Sequence, residues 1–149
     1  MGAVRGASQP PGTPASESRV SRAAQGIPKA VWTALSWDTV AADELGAWAA
    51  GAPTRLTAPV AGVYACGFSA VWTADASNES DRRSRILVNG VDTGSGYSQP
   101  AWSRDLGPKH AAELATYLPA GAYVEVQVHQ NTVTNPVNVQ AIGWLVGPL

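Results

Sequence analysis

The chain is 149 residues long, which suits a single domain, and it carries a net charge of −1. Charged residues make up 14% of the sequence, whereas soluble domains average about 25%. A chain without a basic excess lacks the electrostatic footprint that binds nucleic acid or an anionic membrane. The composition therefore predicts a mostly uncharged surface, no nucleic-acid partner and no insertion into a membrane.

The first 26 residues are rich in glycine, proline, serine and alanine. Such a segment buries too little apolar surface to offset the entropy that is lost when it orders. We expect residues 1–26 to form an extended arm and residues 27–149 to form the domain. Three basic residues, Arg5, Arg19 and Arg22, are candidates for anchoring the arm to a partner or to a neighbouring subunit. A disordered terminal tail is the alternative.

Beyond the arm, apolar residues recur with a period of two, which is typical of β-strands. Residues 63–72 carry no charge on either of their alternating faces. Tyr123–Gln130 alternates valines with polar residues, as a half-exposed strand does. The Asn89-Gly90 pair favours a tight hairpin turn, because both residue types tolerate a positive φ. These patterns predict short strands joined by tight turns.

Two alanine-rich segments have a composition that also suits a helix. Residues 39–50 contain a glycine and two adjacent acidic residues, and we expect a loop there. Residues 110–118 alternate and lie between turn signals, which favours a strand. With six or more strands and no clear helix, the sequence predicts an all-β sandwich or barrel.

Five segments of the domain resemble, in the same order, the globular-head jelly roll that complement first-component-like and tumour-necrosis-factor-like proteins share. They are Trp37-Asp38, RLTAPVAGVY at 55–64, RILVNG at 85–90, LPAGAYVEV at 118–126 and VQAIGWL at 139–145. The RILVNG segment is similar to a strand and turn of phage-encoded members. This resemblance spans the whole domain from residue 27 onward.

Two positions depart from the family pattern. Ala122 replaces the usual aspartate, which weakens any inherited acidic calcium site. Ala141 replaces the usual phenylalanine, and we expect a neighbouring tryptophan, with Trp144 as the candidate, to fill the missing volume.

The resemblance implies a two-sheet antiparallel jelly-roll sandwich of about ten strands, which assembles as a homotrimer with one sheet facing the three-fold axis. The residues fit this picture independently. A strand that is uncharged on both faces needs cover on both, and a two-layer domain covers only one. The alternative cover is the chain's own arm or a long loop. The aromatic candidates for the trimer interface are Tyr64, Phe68, Tyr117 and Trp144.

Nothing in the sequence forms a recognisable catalytic or metal-binding pattern. The two histidines, His110 and His129, lack metal-ligand spacing and are expected at strand surfaces. Cys66 is the single cysteine, which excludes an intrachain disulfide, and its apolar strand predicts an inert core thiol. We therefore expect no enzyme activity, no metal and no cofactor.

Six tryptophans are many for a chain of this length. Trp48 and Trp102 lie in turn-rich stretches and are the candidates for facing a ligand such as a host-surface glycan. The other four are expected in the core: Trp32, Trp37, Trp72 and Trp144.

The composition and the resemblance together favour a non-enzymatic structural protein of a tailed-phage virion. Arginine outnumbers lysine eight to two and alanine is abundant, as in proteins from GC-rich genomes. We expect a homotrimeric surface module, assembled in the bacterial cytoplasm and attached to capsid or tail proteins through its N-terminal arm. Capsid decoration is favoured over a minor tail or fibre protein. The alternative function is a bacterial lectin-like ligand-binding module.

Overall fold

Ten β-strands and no helix make up the part of the chain that the computed structural model describes, residues 15–73, 81–100, 109–131 and 136–149. The strands are β1 (Ser16–Ile27), β2 (Thr33–Ala34), β3 (Thr39–Asp43), β4 (Leu56–Thr57), β5 (Gly62–Trp72), β6 (Asp81–Val88), β7 (Val91–Pro100), β8 (Lys109–Leu118), β9 (Tyr123–Gln130) and β10 (Val137–Gly147).

The strands form two antiparallel sheets. Sheet I has the order β3-β1-β10-β5-β8, and sheet II has the order β2-β9-β6-β7, with β4 also paired to β9. Strands that neighbour each other in a sheet are often distant in sequence, since β10 lies between β1 and β5. The architecture confirms the predicted all-β jelly-roll sandwich of two sheets and ten strands.

The core lies between the two sheets and is supplied by every second residue of the longer strands. On β5, Tyr64, Cys66 and Phe68 are fully buried, and on β9 the three alternating valines of the sequence pattern also point inward. Burial is the main cause that raises the pKa of the Cys66 thiol to about 11, and repulsion by Glu113 adds to it. The thiol therefore stays protonated at neutral pH, which agrees with the predicted inert core cysteine.

The predicted hairpin at Asn89-Gly90 joins β6 to β7. Both turn residues have positive φ, 50° for Asn89 and 80° for Gly90, which matches the twist of the flanking strands. The Asn89 side chain also accepts a hydrogen bond of 3.0 Å from the backbone N–H of Tyr123. This second contact ties the turn to the start of β9.

The predicted boundary between an arm at 1–26 and a domain at 27–149 is wrong. Ser16–Ile27 is β1, and it lies inside sheet I, hydrogen-bonded to β10 on one side and β3 on the other. Val20 and Ile27 are fully buried, so β1 contributes to the core although it contains few large aliphatic side chains. The domain thus includes residues that composition alone assigned to the arm.

Residues 39–50 are not a loop throughout, in contrast to the prediction from sequence. Thr39–Asp43 is β3, the edge strand of sheet I, and only the residues after it form turns. Its side chains are exposed or half-buried, so they give no alternating apolar signal. Pairing with β1 satisfies the backbone and makes this segment a strand.

The volume left by Ala141 is not filled by Trp144, which points out of the sandwich on the opposite face of β10. Trp37 packs in the core beside this position instead: a Cβ on Gly143 would lie only 2.6 Å from its Cζ2 atom. Trp37 and Trp72 are buried, as expected, whereas Trp32 and Trp144 are half-buried outside the core.

Candidate functional site

The outward side of sheet I carries small and apolar side chains along its middle. The outward residues of β5 are Val63, Ala65, Gly67, Ser69 and Val71. Two neighbours extend this surface, since Tyr117 on β8 is paired directly with Val63, and Ile142 on β10 is paired with Ser69. We call this surface the apolar face. Val63 is 43% exposed, Tyr117 60% and Ile142 41%, so nothing in the described chain covers them.

Trp144 lies next to the centre of the apolar face. Its indole ring covers Gly67 on β5, where a Cβ would come within 2.6 Å of the ring atom Cζ2. On the other side, the Arg19 guanidinium carbon is 5.9 Å from the centre of the Trp144 ring, and Arg19 is held by Glu17 at 2.8 Å. A glycine at position 67 therefore leaves the space that the indole ring occupies.

Two of the four predicted interface residues lie elsewhere. Tyr64 and Phe68 are fully buried between the sheets, and the Tyr64 hydroxyl donates a hydrogen bond of 2.7 Å to the Val60 carbonyl. The prediction for them is wrong, because the period of two places them on the inner side of β5. Tyr117 and Trp144 lie on the outward side of the sheet, and their role as interface residues stays a prediction.

A groove of about 320 Å³ lies on the outward side of sheet II. We call it the Trp32 groove. Its wall on one side is the Trp32 ring, just before β2, and its floor is formed by outward residues of β6. Its lining residues are Trp32, Arg83, Ser84, Arg85, Asp92, Gly94, Ser95 and Gly96.

Arg85 is the most firmly held charged group in this groove. Its Nε and Nη2 atoms donate hydrogen bonds of 2.8 and 2.6 Å to Gln127 Oε1. Its guanidinium carbon lies 4.0 Å from the centre of the Trp32 ring, a distance typical of a cation–π contact. His129 packs against the same ring at 5.1 Å. Burial lowers the pKa of His129, and the Arg83 charge lowers it further, so this ring is neutral at pH 7.

The sequence matches no protein-family model and no curated protein. Solved structures are similar in fold. The globular domain of the zebrafish complement 1qA protein has a TM-score of 0.66 at 15% identity, over 89% of this chain and 95% of that domain. The Eiger TNF of S. frugiperda gives 0.56 at 11% identity, over 90% of this chain and 92% of that one. Murine APRIL gives 0.53 at 12% identity, over 85% and 98%.

The fold is the complement/TNF-like jelly roll. The similarity covers nearly the full length of each of these chains, so it concerns the whole sandwich and not one sheet. It agrees with the resemblance carried by the five sequence segments. At identities of 11–15% the likeness concerns the fold alone, so a function has to be inferred from this chain's own surfaces.

Within this complement/TNF-like jelly roll, two of the predicted anchoring arginines belong to sheet I. Arg19 and Arg22 lie in β1, where Arg22 donates hydrogen bonds of 3.0 Å to the carbonyl groups of Ala24 and Ser36. Both side chains are therefore engaged inside the domain, and their assignment to an anchoring arm is wrong. Arg5 lies outside the described residues.

The two tryptophans predicted to face a ligand have different outcomes. Trp48 packs against the core and donates a hydrogen bond of 3.1 Å from Nε1 to the Pro53 carbonyl. The indole N–H is therefore bonded within the loop, and the geometry does not support the predicted ligand-facing role. Trp102 lies outside the described residues.

One end of the sandwich contains buried polar groups, among them His110, which the sequence predicts at a strand surface. His110 is 1% exposed, and its Nδ1 atom lies 3.2 Å from Ser84 Oγ. Its ring meets Trp72 edge-on at 6.3 Å, and the buried Arg82 guanidinium lies 5.2 Å from the same tryptophan ring. Burial is the main cause that lowers the pKa of His110 to about 4, and Arg82 adds to it.

Sequence reasoning missed the Trp32 groove, although one signal for it was present. Arg83 and Arg85 are two residues apart, so a strand at this position turns both side chains to the same side. Trp32 has no such signal, because it lies in an irregular segment before a strand of only two residues. Its contact with β6 exists only in the folded chain.

Two further observations apply to the described ranges alone. None of the described residues forms a helix that is long and apolar enough to cross a membrane. No group of three His, Cys, Asp or Glu side chains within those ranges is placed to hold a metal ion.

Proposed function

We propose that the protein is a non-enzymatic structural module of a tailed-phage virion, which assembles as a homotrimer through the apolar face. The observation that carries this proposal is the exposure of Val63, Tyr117 and Ile142 on one side of a single sheet. Exposed apolar side chains on a continuous surface mark a site of association, because their burial against a partner removes them from water.

A second copy of the chain is the partner that this surface suits best. The outward side of β5 is uncharged over its whole length, so it can meet its own copy without opposing like charges. The charged side chains lie on the strands that flank this centre, Arg19 on β1 beside Trp144 and Glu113 on β8 beside Gly67. An apolar centre with a charged rim is the usual anatomy of a subunit interface. Three copies would close this interface around one axis, in keeping with the family resemblance.

The placement in a virion is supported by the RILVNG segment, which is similar to phage-encoded members. It corresponds to the end of β6 and its turn into β7. We propose that the residues before β1 attach the trimer to a capsid or tail protein, with capsid decoration favoured. The jelly roll then projects outward from the particle.

Measurement of molar mass by light scattering tests the assembly. The unmodified chain should have the mass of three protomers at micromolar concentration. Ile142→Arg places a charge in the apolar face and should give monomers that remain folded by circular dichroism. Val91→Arg is the matched control, because Val91 is 67% exposed on sheet II, and it should leave the trimer intact. A monomeric unmodified chain would overturn the assembly proposal.

The virion placement needs a separate test. Phage particles purified from a host culture that produces this protein should contain it by mass spectrometry, and gold-labelled antibodies should locate it on the capsid. A chain that lacks residues 1–14 should still form trimers but bind these particles less. Labelling of the tail would correct the location, and absence of the protein from the particles would refute the virion role.

A further inference from the structure

The Trp32 groove contains an arginine that is already fixed in one orientation. Gln127 holds Arg85 through Nε and Nη2, and the Trp32 ring supports the plane of the guanidinium. Such a group loses little side-chain entropy when a ligand binds, since it is ordered beforehand. An arginine held in this way is suited to recognise a carboxylate, which matches the geometry of its N–H donors.

Three of the five N–H donors of Arg85 are left for a ligand, one on Nη2 and both on Nη1. Its Nη1 atom makes no hydrogen bond with the described residues, and its nearest acidic partner is Asp92 Oδ2 at 3.7 Å. This separation exceeds the usual length of a charge-assisted hydrogen bond, about 2.7–2.9 Å. The Asp92 side chain is about half exposed, and its other oxygen, Oδ1, accepts a hydrogen bond of 2.9 Å from the Gly94 N–H. Its Oδ2 atom marks a position beside Arg85 that an incoming carboxylate can take.

The rest of the groove suits a ring with hydroxyl groups. The Trp32 ring gives an apolar wall. Arg83 is about half exposed, is paired with Asp81 at 3.0 Å, and lies on the same side of β6 as Arg85. On β7, Gly94 and Gly96 present no side chains, so the opposite wall stays low. Gly96 is required there, because a Cβ would lie only 2.1 Å from the Ser84 carbonyl oxygen. An apolar plane beside several polar groups is typical of a small-molecule site.

We propose that the Trp32 groove binds a saccharide that carries a carboxylate group. The carboxylate accepts hydrogen bonds from Arg85 Nη1 and displaces Asp92, while the sugar ring lies against the edge of Trp32 and its hydroxyl groups reach Arg83. The groove lies on sheet II and the apolar face on sheet I. This inference is therefore independent of the assembly and of the virion placement.

Isothermal titration of the full-length chain tests the proposal with two pairs of probes. One pair is an oligogalacturonate and its methyl ester, and the other is sialyllactose and lactose. At least one acidic probe should bind, and its uncharged counterpart should bind at least about tenfold more weakly, because hydrogen bonds to a charged group are strong. Failure of both acidic probes to bind at millimolar concentration would overturn the proposal, as would equal binding of the matched neutral probe.

Two variants should change the affinity in opposite directions. Arg85→Gln removes the carboxylate donor and should weaken binding of the acidic probe at least about tenfold. Asp92→Asn removes the competing carboxylate and should strengthen binding several-fold. The asparagine can still accept the hydrogen bond that Asp92 Oδ1 receives from the Gly94 N–H at 2.9 Å, so the turn is kept.

The matched control is Arg55→Gln. Arg55 also lies over an aromatic ring, with its guanidinium carbon 3.9 Å from the centre of Tyr123, but it does not line the groove. This variant removes the same charge and should change the affinity by less than about twofold. Weaker binding by Asp92→Asn would overturn the proposed carboxylate exchange, since it would show that Asp92 itself accepts from the ligand. Thermal unfolding of each variant confirms that the domain is intact.

Discussion

Gly143 is a position at which the core leaves little room for added volume. A Cβ there would lie 2.6 Å from Cζ2 and 2.8 Å from Cη2 of Trp37, and that ring is buried among rigid neighbours. We expect Gly143→Ala to lower the free energy of unfolding by about 1–3 kcal/mol, as overpacking of a core does. Chemical denaturation monitored by tryptophan fluorescence measures this change.

The control for this substitution is Gly51→Ala. Gly51 is exposed, has no atom within 4 Å of the position of a Cβ, and does not adopt a left-handed φ. The same added methyl group should therefore leave stability unchanged or raise it slightly, through the unfolded state. Equal losses in both variants would show that the Trp37 contact is not the cause.

His110 makes the stability of the domain depend on pH. Its folded pKa of about 4 lies below the ordinary value of 6.5, so the unfolded chain takes up the proton first as the pH falls. Stability should therefore decrease between pH 6.5 and pH 4, by up to about 3 kcal/mol from this group. His110→Asn can keep the contact to Ser84 without titrating, and it should lose this part of the pH dependence. An unchanged slope would contradict the assignment.

At the scale of elements, β1 is the strand whose removal tests the corrected domain boundary. It is hydrogen-bonded on both edges, to β10 over ten residue pairs and to β3 over four. A chain that begins at residue 15 should keep the fold, because β1 is complete. A chain that begins at residue 28 should not fold, because β10 loses one of its two partners and β3 is left detached. Proton NMR spectra of the two chains distinguish these outcomes, and a folded shorter chain would restore the predicted arm.

The elements that the sequence predicts well are those with a strong local pattern. β9 and the Asn89-Gly90 hairpin carry strong local signals, an alternation of valines and a turn with two positive φ values. β1 and β3 carry weak ones, since their place is decided by backbone pairing with distant strands. Non-local pairing of this kind leaves little trace in a short window of sequence.

For the site residues, too, the local pattern shows one property and leaves another undecided. An alternating pattern shows that Tyr64 and Tyr117 lie on strands, but it does not show which side of the strand meets the core. A shift of one residue exchanges the two sides. The same holds for His110. Both sides of β8 carry alanine and polar residues, so the sequence does not show which side meets the core.

At the scale of the whole molecule, assembly makes thermal stability depend on concentration. If three chains share the apolar face, dilution favours the dissociated state and lowers the unfolding temperature. We expect tenfold dilution to lower Tm by about 2–4 °C for a domain of this size. The Ile142→Arg variant, as a monomer, should show one Tm at all concentrations. Concentration-independent unfolding of the unmodified chain would contradict a shared interface.

The position of β10 also governs when the molecule can fold during its synthesis. β10 is the last of the described strands of the sandwich, and it lies in the middle of sheet I with partners on both sides, β1 and β5. Until β10 has been translated, β1 and β5 have no hydrogen-bonded partner between them and are not paired with each other. The sheet therefore closes in one late step, after the ribosome has made nearly the whole domain.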